Sequence, residues 1–135
     1  MTELQKRILV VDDCDDIRAN FADILQEFGY CVDQAPDGPS ALALIRQHSY
    51  AVALLDYVMP GMNGAEVANE LKRLQPQAVA IMITAHPGTV GGPLISNVSI
   101  PLLRKPVELT KLLPLVADAF AATHARQSDP NREQL

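Results

Sequence analysis

Residues 51–64 read Ala51-Val52-Ala53-Leu54-Leu55-Asp56-Tyr57-Val58-Met59-Pro60-Gly61-Met62-Asn63-Gly64. The stretch opens with five apolar residues in succession and stops at a carboxylate. A strand with one wet face would alternate apolar and polar residues. An unbroken apolar run of this length suits a strand covered on both faces, as in a parallel sheet. Beyond Asp56, Pro60-Gly61 and Asn63-Gly64 punctuate a loop, and Asn63-Gly64 fits the turn and cap of a following helix. Met59, Met62 and Tyr57 read as packing residues around that loop.

Working outward, residues 8–11 and 79–83 are runs of the same kind. Residues 31–35 and 99–104 are shorter strand candidates. The latter contains Pro101, which cannot donate to a central ladder and so predicts an edge strand. Helical spacing fills the intervals. Ile17, Phe21, Ile24, Leu25 and Phe28 recur at three and four residues and stop at Gly29. Asp37-Gly38-Pro39 opens a second helix, with proline in its first turn, continuing through Ala41, Leu42, Leu44 and Ile45. A third runs from about 65 to 74 with Val67, Leu71 and Leu74 on one face, ended by Pro76. A last helix is expected from about 108 to 124, disturbed early by Pro114. Residues 86–97 should hold a helix between the last two strands. Pro87-Gly88 and Gly91-Gly92-Pro93 make that helix short or irregular. Strand alternating with helix predicts an α/β fold, an open doubly wound sheet built from right-handed βαβ units. The expected division is one domain over 1–124 and a polar tail or linker over 125–135.

Composition agrees with one compact domain. The chain has 135 residues, 48% of them hydrophobic, with no Trp, three Phe and three Tyr, so the core should be aliphatic. A net charge of -5 argues against a broad nucleic-acid surface. No segment is long and apolar enough to span a bilayer, and residues 1–7 lack the apolar stretch of a signal peptide. Cys14 and Cys31 read as two free thiols in a reducing cytoplasm. His48 and His124 are expected at the surface.

The decisive pattern is where the apolar runs stop. The first ends in Asp12-Asp13, the central one in Asp56, the third in Thr84, and the edge candidate in Lys105-Pro106. Open parallel sheets bind ligands outside the carboxyl ends of their strands. Three carboxylates, a hydroxyl and an ammonium should therefore converge on one pocket. Two like charges roughly 4 Å apart repel by about 4 kcal/mol at an effective dielectric of about 20. Lys105 can neutralise part of that, and a hard divalent cation more. All-oxygen ligands in small number favour Mg2+ that keeps several waters. A carboxylate, Mg2+, a lysine and a hydroxyl are the parts of phosphoryl transfer to an aspartate. Taken singly, Asp12-Asp13 could only cap a helix, Asp56 only serve a turn, and Thr84 and Lys105 only lie at strand ends.

Residues 8–13, the Asp56-Tyr57-Val58-Met59-Pro60-Gly61-Met62-Asn63-Gly64 stretch, Ile83-Thr84-Ala85 and Lys105-Pro106 together resemble response-regulator receiver domains, the phospho-accepting CheY-like modules of two-component signalling. The resemblance covers roughly residues 7–123. It implies five parallel strands in order 2-1-3-4-5, flavodoxin-like, with five surrounding helices. It implies Asp56 as phospho-acceptor and Mg2+ held by Asp12, Asp13, Asp56 and the backbone carbonyl of Val58. Lys105 and Thr84 would bind the transferred oxygens, Ala85 would leave room for the donor, and the Lys105-Pro106 bond would be cis. Leu102 takes the place of the family's usual aromatic switch residue, three positions before the lysine. His86 would lie at the pocket mouth. The implied partners are a histidine kinase or histidine phosphotransfer protein and a downstream protein or output domain. A second copy of the chain is a further partner, and no nucleic acid or membrane is expected. Two other functions stand beside this one. An aspartyl-phosphate phosphatase would want a second Asp where Val58 stands. A scaffold independent of phosphorylation would not need all five site residues.

Overall fold

The computed structural model describes residues 7–85 and 100–127. Five strands, β1 (Arg7–Val11), β2 (Cys31–Ala35), β3 (Val52–Asp56), β4 (Val79–Thr84) and β5 (Leu102–Arg104), alternate with helices α1 (Asp15–Glu27), α2 (Gly38–Gln47), α3 (Gly64–Leu74) and α4 (Leu109–Gln127). The strands form one parallel sheet in the order β2-β1-β3-β4-β5, as expected. The helix expected within 86–97 lies outside the described residues, as does His86.

The unbroken apolar runs are explained by the period of two along a strand. Leu9, Val11, Ala53, Leu55, Ala80 and Met82 face α2 and α3, where they meet Ala41, Ile45, Val67 and Leu71. Ile8, Val10, Val52, Leu54, Ile81 and Ile83 face the opposite layer, where they meet Phe21, Leu25, Leu112 and Val116 of α1 and α4. Every residue of β3 is buried. Fully burying each Leu, Ile or Val contributes roughly 1.5–3 kcal/mol, so both layers hold the central strand.

Caps fix where the helices begin. The Asp37 carboxylate accepts from the Ser40 backbone N–H at 2.8 Å, with Pro39 in the first turn of α2. Asn63 and Glu66 close a reciprocal capping box on α3 at 3.0 and 2.9 Å. Such a cap contributes about 1 kcal/mol. Gln75 follows α3, and its side-chain amide donates to the carbonyls of Ile45 and His48 at 2.8 and 2.7 Å. It thereby ties the end of α3 to that of α2.

Several expectations change. Ile17 and Phe28 have helical periodicity yet are 36% and 59% exposed, because they lie in the first turn and at the C-cap of α1, away from the middle turns that bury Phe21, Ala22 and Leu25. Leu74, at the last turn of α3, is also exposed. The edge strand is shorter than residues 99–104. Pro101 precedes it, and the Pro101 carbonyl accepts from the Met82 N–H at 2.9 Å. α4 passes through Pro114 and continues to Gln127, beyond the end near 124 expected for the last helix. No Gly or Pro stands between 115 and 127, and Ala, Arg and Gln favour continued helix. His48 is half-buried and lies edge-on to Tyr50 instead of standing free.

Candidate functional site

Parallel register lines up the carboxyl ends of the three central strands. Val11 pairs with Leu55, Asp56 with Ile83, and Thr84 with Arg104. The residue that ends or follows each strand therefore reaches the same edge of the sheet. Asp12 extends β1 by one bond, its N–H donating to the Ala35 carbonyl at 3.2 Å. Lys105 is placed the same way, its N–H donating to the Thr84 carbonyl at 2.8 Å. The Lys105-Pro106 peptide is cis, as the resemblance implied.

The three carboxylates and the ammonium lie together at this edge. Lys105 Nζ lies 3.4 Å from Asp12 Oδ2 and 3.2 Å from Asp56 Oδ1. Carboxylate oxygens of Asp12, Asp13 and Asp56 all lie within 4.8 Å of one another. Asp12, Asp56 and Thr84 are buried, at 2%, 4% and 0% exposure, whereas Asp13 is open to solvent. The site is a rim-and-floor arrangement, with buried acids below and an exposed acid at the mouth. Ala85 lies exposed beside Thr84.

The loop after Asp56 is held at both ends. The Tyr57 N–H donates to the Ile83 carbonyl at 2.8 Å, and the Gly64 N–H donates to the Tyr57 carbonyl at 3.0 Å. Gly61 sits at φ +78, a left-handed conformation that costs glycine least. Val58 turns its side chain outward, 57% exposed, while Met59 is buried in the core, with Tyr57 and Met62 packed against it.

Burial and the charge of Asp12 push Asp56 up to about 6, and Lys105 only partly opposes them. Lys105 responds in the reverse sense. Burial disfavours its charge, but Asp12 and Asp56 together hold its proton above the ordinary lysine value. With all groups ionised, three carboxylates against one ammonium leave two negative charges uncompensated. A divalent cation would balance them, and an all-oxygen donor set of this kind fits Mg2+.

One contributor was missed from sequence. Arg18, in the second turn of α1, donates from Nη1 to the Asp12 carbonyl at 2.7 Å and from Nη2 to Asp15 Oδ1 at 2.6 Å. The Cys14 N–H donates to Asp12 Oδ1 at 2.9 Å. The loop that carries the acidic pair is thus pinned by a half-buried guanidinium. Its spacing of three residues from Asp15 was a visible signal for the ion pair, but not for the carbonyl contact. Cys14 and Cys31 are both free and exposed. No helix among the described residues is long and apolar enough to cross a membrane.

The sequence of the response regulator receiver domain family matches residues 8–116. Over 81 residues the chain is 46% identical to a response regulator receiver protein of Anaeromyxobacter sp., a match covering 60% of this chain and 34% of that protein. Among solved structures it is similar to a CheY-like receiver domain protein of Methanospirillum hungatei, with 28% identity, a TM-score of 0.80, and coverage of 90% of this chain and 98% of that one. It is also similar to the response regulator TrrA of Thermotoga maritima, solved in complex with Mg2+ and BeF. There the identity is 33% and the TM-score 0.75, over 84% of this chain and 98% of that one. The chain spans only 34%, 22% and 26% of the length of the first curated relatives it matches.

Proposed function

Because the chain belongs to the response regulator receiver domain family, we propose that Asp56 accepts a phosphoryl group in a Mg2+-dependent reaction and that the domain signals through the resulting change in charge. The observation that carries this reading is Lys105 Nζ standing 3.2 Å from Asp56 beside oxygens of Asp12 and Asp13. Asp12, Asp13, Asp56 and the Val58 carbonyl would hold the ion. When bound, Mg2+ would neutralise the acidic cluster and withdraw charge from the phosphoryl oxygens.

The remaining chemistry belongs to the chain's own groups. An Asp56 oxygen attacks phosphorus in line. The new O–P bond forms as the bond from phosphorus to the donor breaks, and the donor keeps that electron pair. Lys105 pairs with one phosphoryl oxygen, and the Thr84 hydroxyl donates to another. Both act as positive potential aimed where the transferred charge sits. Ala85 leaves space for the donor, a histidine kinase or a histidine phosphotransfer protein. These steps suit a cytoplasmic module, where the exposed Cys14 and Cys31 would stay reduced.

A phosphoryl group adds roughly -1.5 to -2 charges. Thr84 and the segment after it would be drawn toward that charge, with Leu102, 40% exposed on the edge strand, as the responding side chain. A downstream protein, an output domain or a second copy of the chain would read the change. Val58 argues against a phosphatase, since an exposed apolar side chain at that position supplies no acid.

Incubation with acetyl phosphate and Mg2+ followed by intact mass tests the reading. A phosphoryl adduct that forms on the wild type and is lost in Asp56→Asn is expected. An adduct that persists in Asp56→Asn overturns the assignment, and multiple turnovers on a phosphomonoester would favour the phosphatase.

A further inference from the structure

Gly64 was read from sequence as a turn and cap residue, and its backbone gives no conformational reason to be glycine, for its φ is not in the left-handed region. The reason is space. A Cβ built on Gly64 would stand 2.6 Å from the carbonyl oxygen of Asp56, 3.0 Å from the carbon of that carbonyl, and 2.9 Å from Met82 Sδ. These two neighbours differ in how they can yield. Met82 Sδ is near the end of a flexible side chain. The Asp56 carbonyl is backbone at the end of a central strand whose every residue is buried.

We propose that Gly64 is a positioning residue: the missing side chain lets α3 close against the Asp56 carbonyl and so sets the placement of Asp56 and of the Val58 carbonyl in the cation site. The Gly64 N–H completes the arrangement by donating to the Tyr57 carbonyl at 3.0 Å, while the Tyr57 N–H is held by Ile83 at 2.8 Å. The peptide before Tyr57 is thus held by β4, and the peptide after it, which leads to Val58, by the start of α3. Any side chain at 64 meets both the thioether and the acceptor's own backbone, and moving the thioether alone leaves the overlap with the backbone. The inference rests on the acceptor reading above.

The test separates the two neighbours. Mg2+ binding to the wild type, Gly64→Ala, Met82→Ala and the double variant Gly64→Ala/Met82→Ala is measured by calorimetry, with thermal unfolding of each in chelator. Gly64→Ala should bind Mg2+ about 10-fold or more weakly, the scale for disturbing a group that orients a metal ligand. Met82→Ala should keep near wild-type affinity. In the double variant the thioether overlap is gone but the overlap with the Asp56 carbonyl remains, so Mg2+ affinity should stay low. Recovery of affinity in the double variant would make Met82, not the Asp56 carbonyl, the cause and would overturn the proposal. So would wild-type affinity in Gly64→Ala, or failure of both Gly64 variants to fold, which would make the glycine a requirement of sheet packing. Absence of Mg2+ binding by the wild type would instead count against the acceptor reading itself.

Discussion

The guanidinium of Arg18 donates to the backbone carbonyl of Asp12 at 2.7 Å, so a cation of α1 holds the strand-end turn that carries the acidic pair. Its side chain is only 14% exposed, and its Nε is buried without a hydrogen-bond partner. A charge-assisted hydrogen bond contributes roughly 1.5–3 kcal/mol, but the unsatisfied Nε offsets part of it. Arg18→Met should therefore destabilise the fold by about 1 kcal/mol, read as a lower urea midpoint with unchanged slope. Asp15→Asn should cost much less, because Asp15 is 83% exposed and a solvated pair is weak.

A second network governs acid stability. Asp33 Oδ2 accepts from Tyr50 Oη at 2.6 Å and from Arg7 Nη1 at 2.9 Å, which joins β2, the start of β3 and β1. Burial works against the Asp33 charge, yet the Tyr50 hydroxyl and Arg7 outweigh it and hold the carboxyl below its ordinary value. Burial and the same carboxylate push the Tyr50 hydroxyl well above the usual tyrosine range. A depressed folded-state value means the contribution is present above the unfolded value, about 3.9, and is lost as pH falls through the folded one. Asp33→Asn should thus lower stability at pH 7 and flatten its decline below about pH 4. Urea midpoints across pH 2.5–7 would check this, and a decline as steep as that of the wild type would contradict it.

Asp56 has the opposite sign. Its folded value, about 6, lies above the unfolded value. Its ionisation therefore costs nothing below about pH 4, costs stability progressively as pH rises through about 6, and costs it in full above that. In chelator at pH 7, Asp56→Asn should be more stable than wild type by on the order of 1–2 kcal/mol, and the gain should vanish near pH 4. Added Mg2+ should reverse the ranking at pH 7, because an ion that binds only the folded wild type stabilises it. Thermal unfolding at both pH values, with and without Mg2+, reads all three effects.

Pro114 offers a stabilising change. It sits in the second turn of α4, exposed, where its missing N–H forfeits a bond to the Thr110 carbonyl. Proline inside a helix is about 3 kcal/mol less favourable than alanine, and the continuous helix has already absorbed part of that cost. Pro114→Ala should raise stability by about 1 kcal/mol, visible as a higher thermal midpoint with no change in Mg2+ affinity.

Much of this was legible in the chain itself. The apolar runs marked the core strands because burial on both faces removes the polar alternate positions, and their last residues gave Asp12, Asp13, Asp56, Thr84 and Lys105. Pro101 marked the edge of the sheet. The interactions that could not be read are those that join residues distant in sequence through geometry. Nothing near Asp33 announces Tyr50 or Arg7, and nothing in Asn63-Gly64 says that the glycine faces the Asp56 carbonyl. Ile17 and Phe28 were misjudged because periodicity tells which side of a helix is apolar, not how far along its length the sheet extends.

β3 is enclosed by a neighbour on either edge and by helices above and below. Its amide protons should be among the slowest in the molecule to exchange with solvent, since they open only when the whole sheet does. Under the proposed function, the residue that receives the signal is therefore anchored to the stiffest part of the architecture. A proposed modification there would then be transmitted less by displacing that anchor than by motion in the periphery around it.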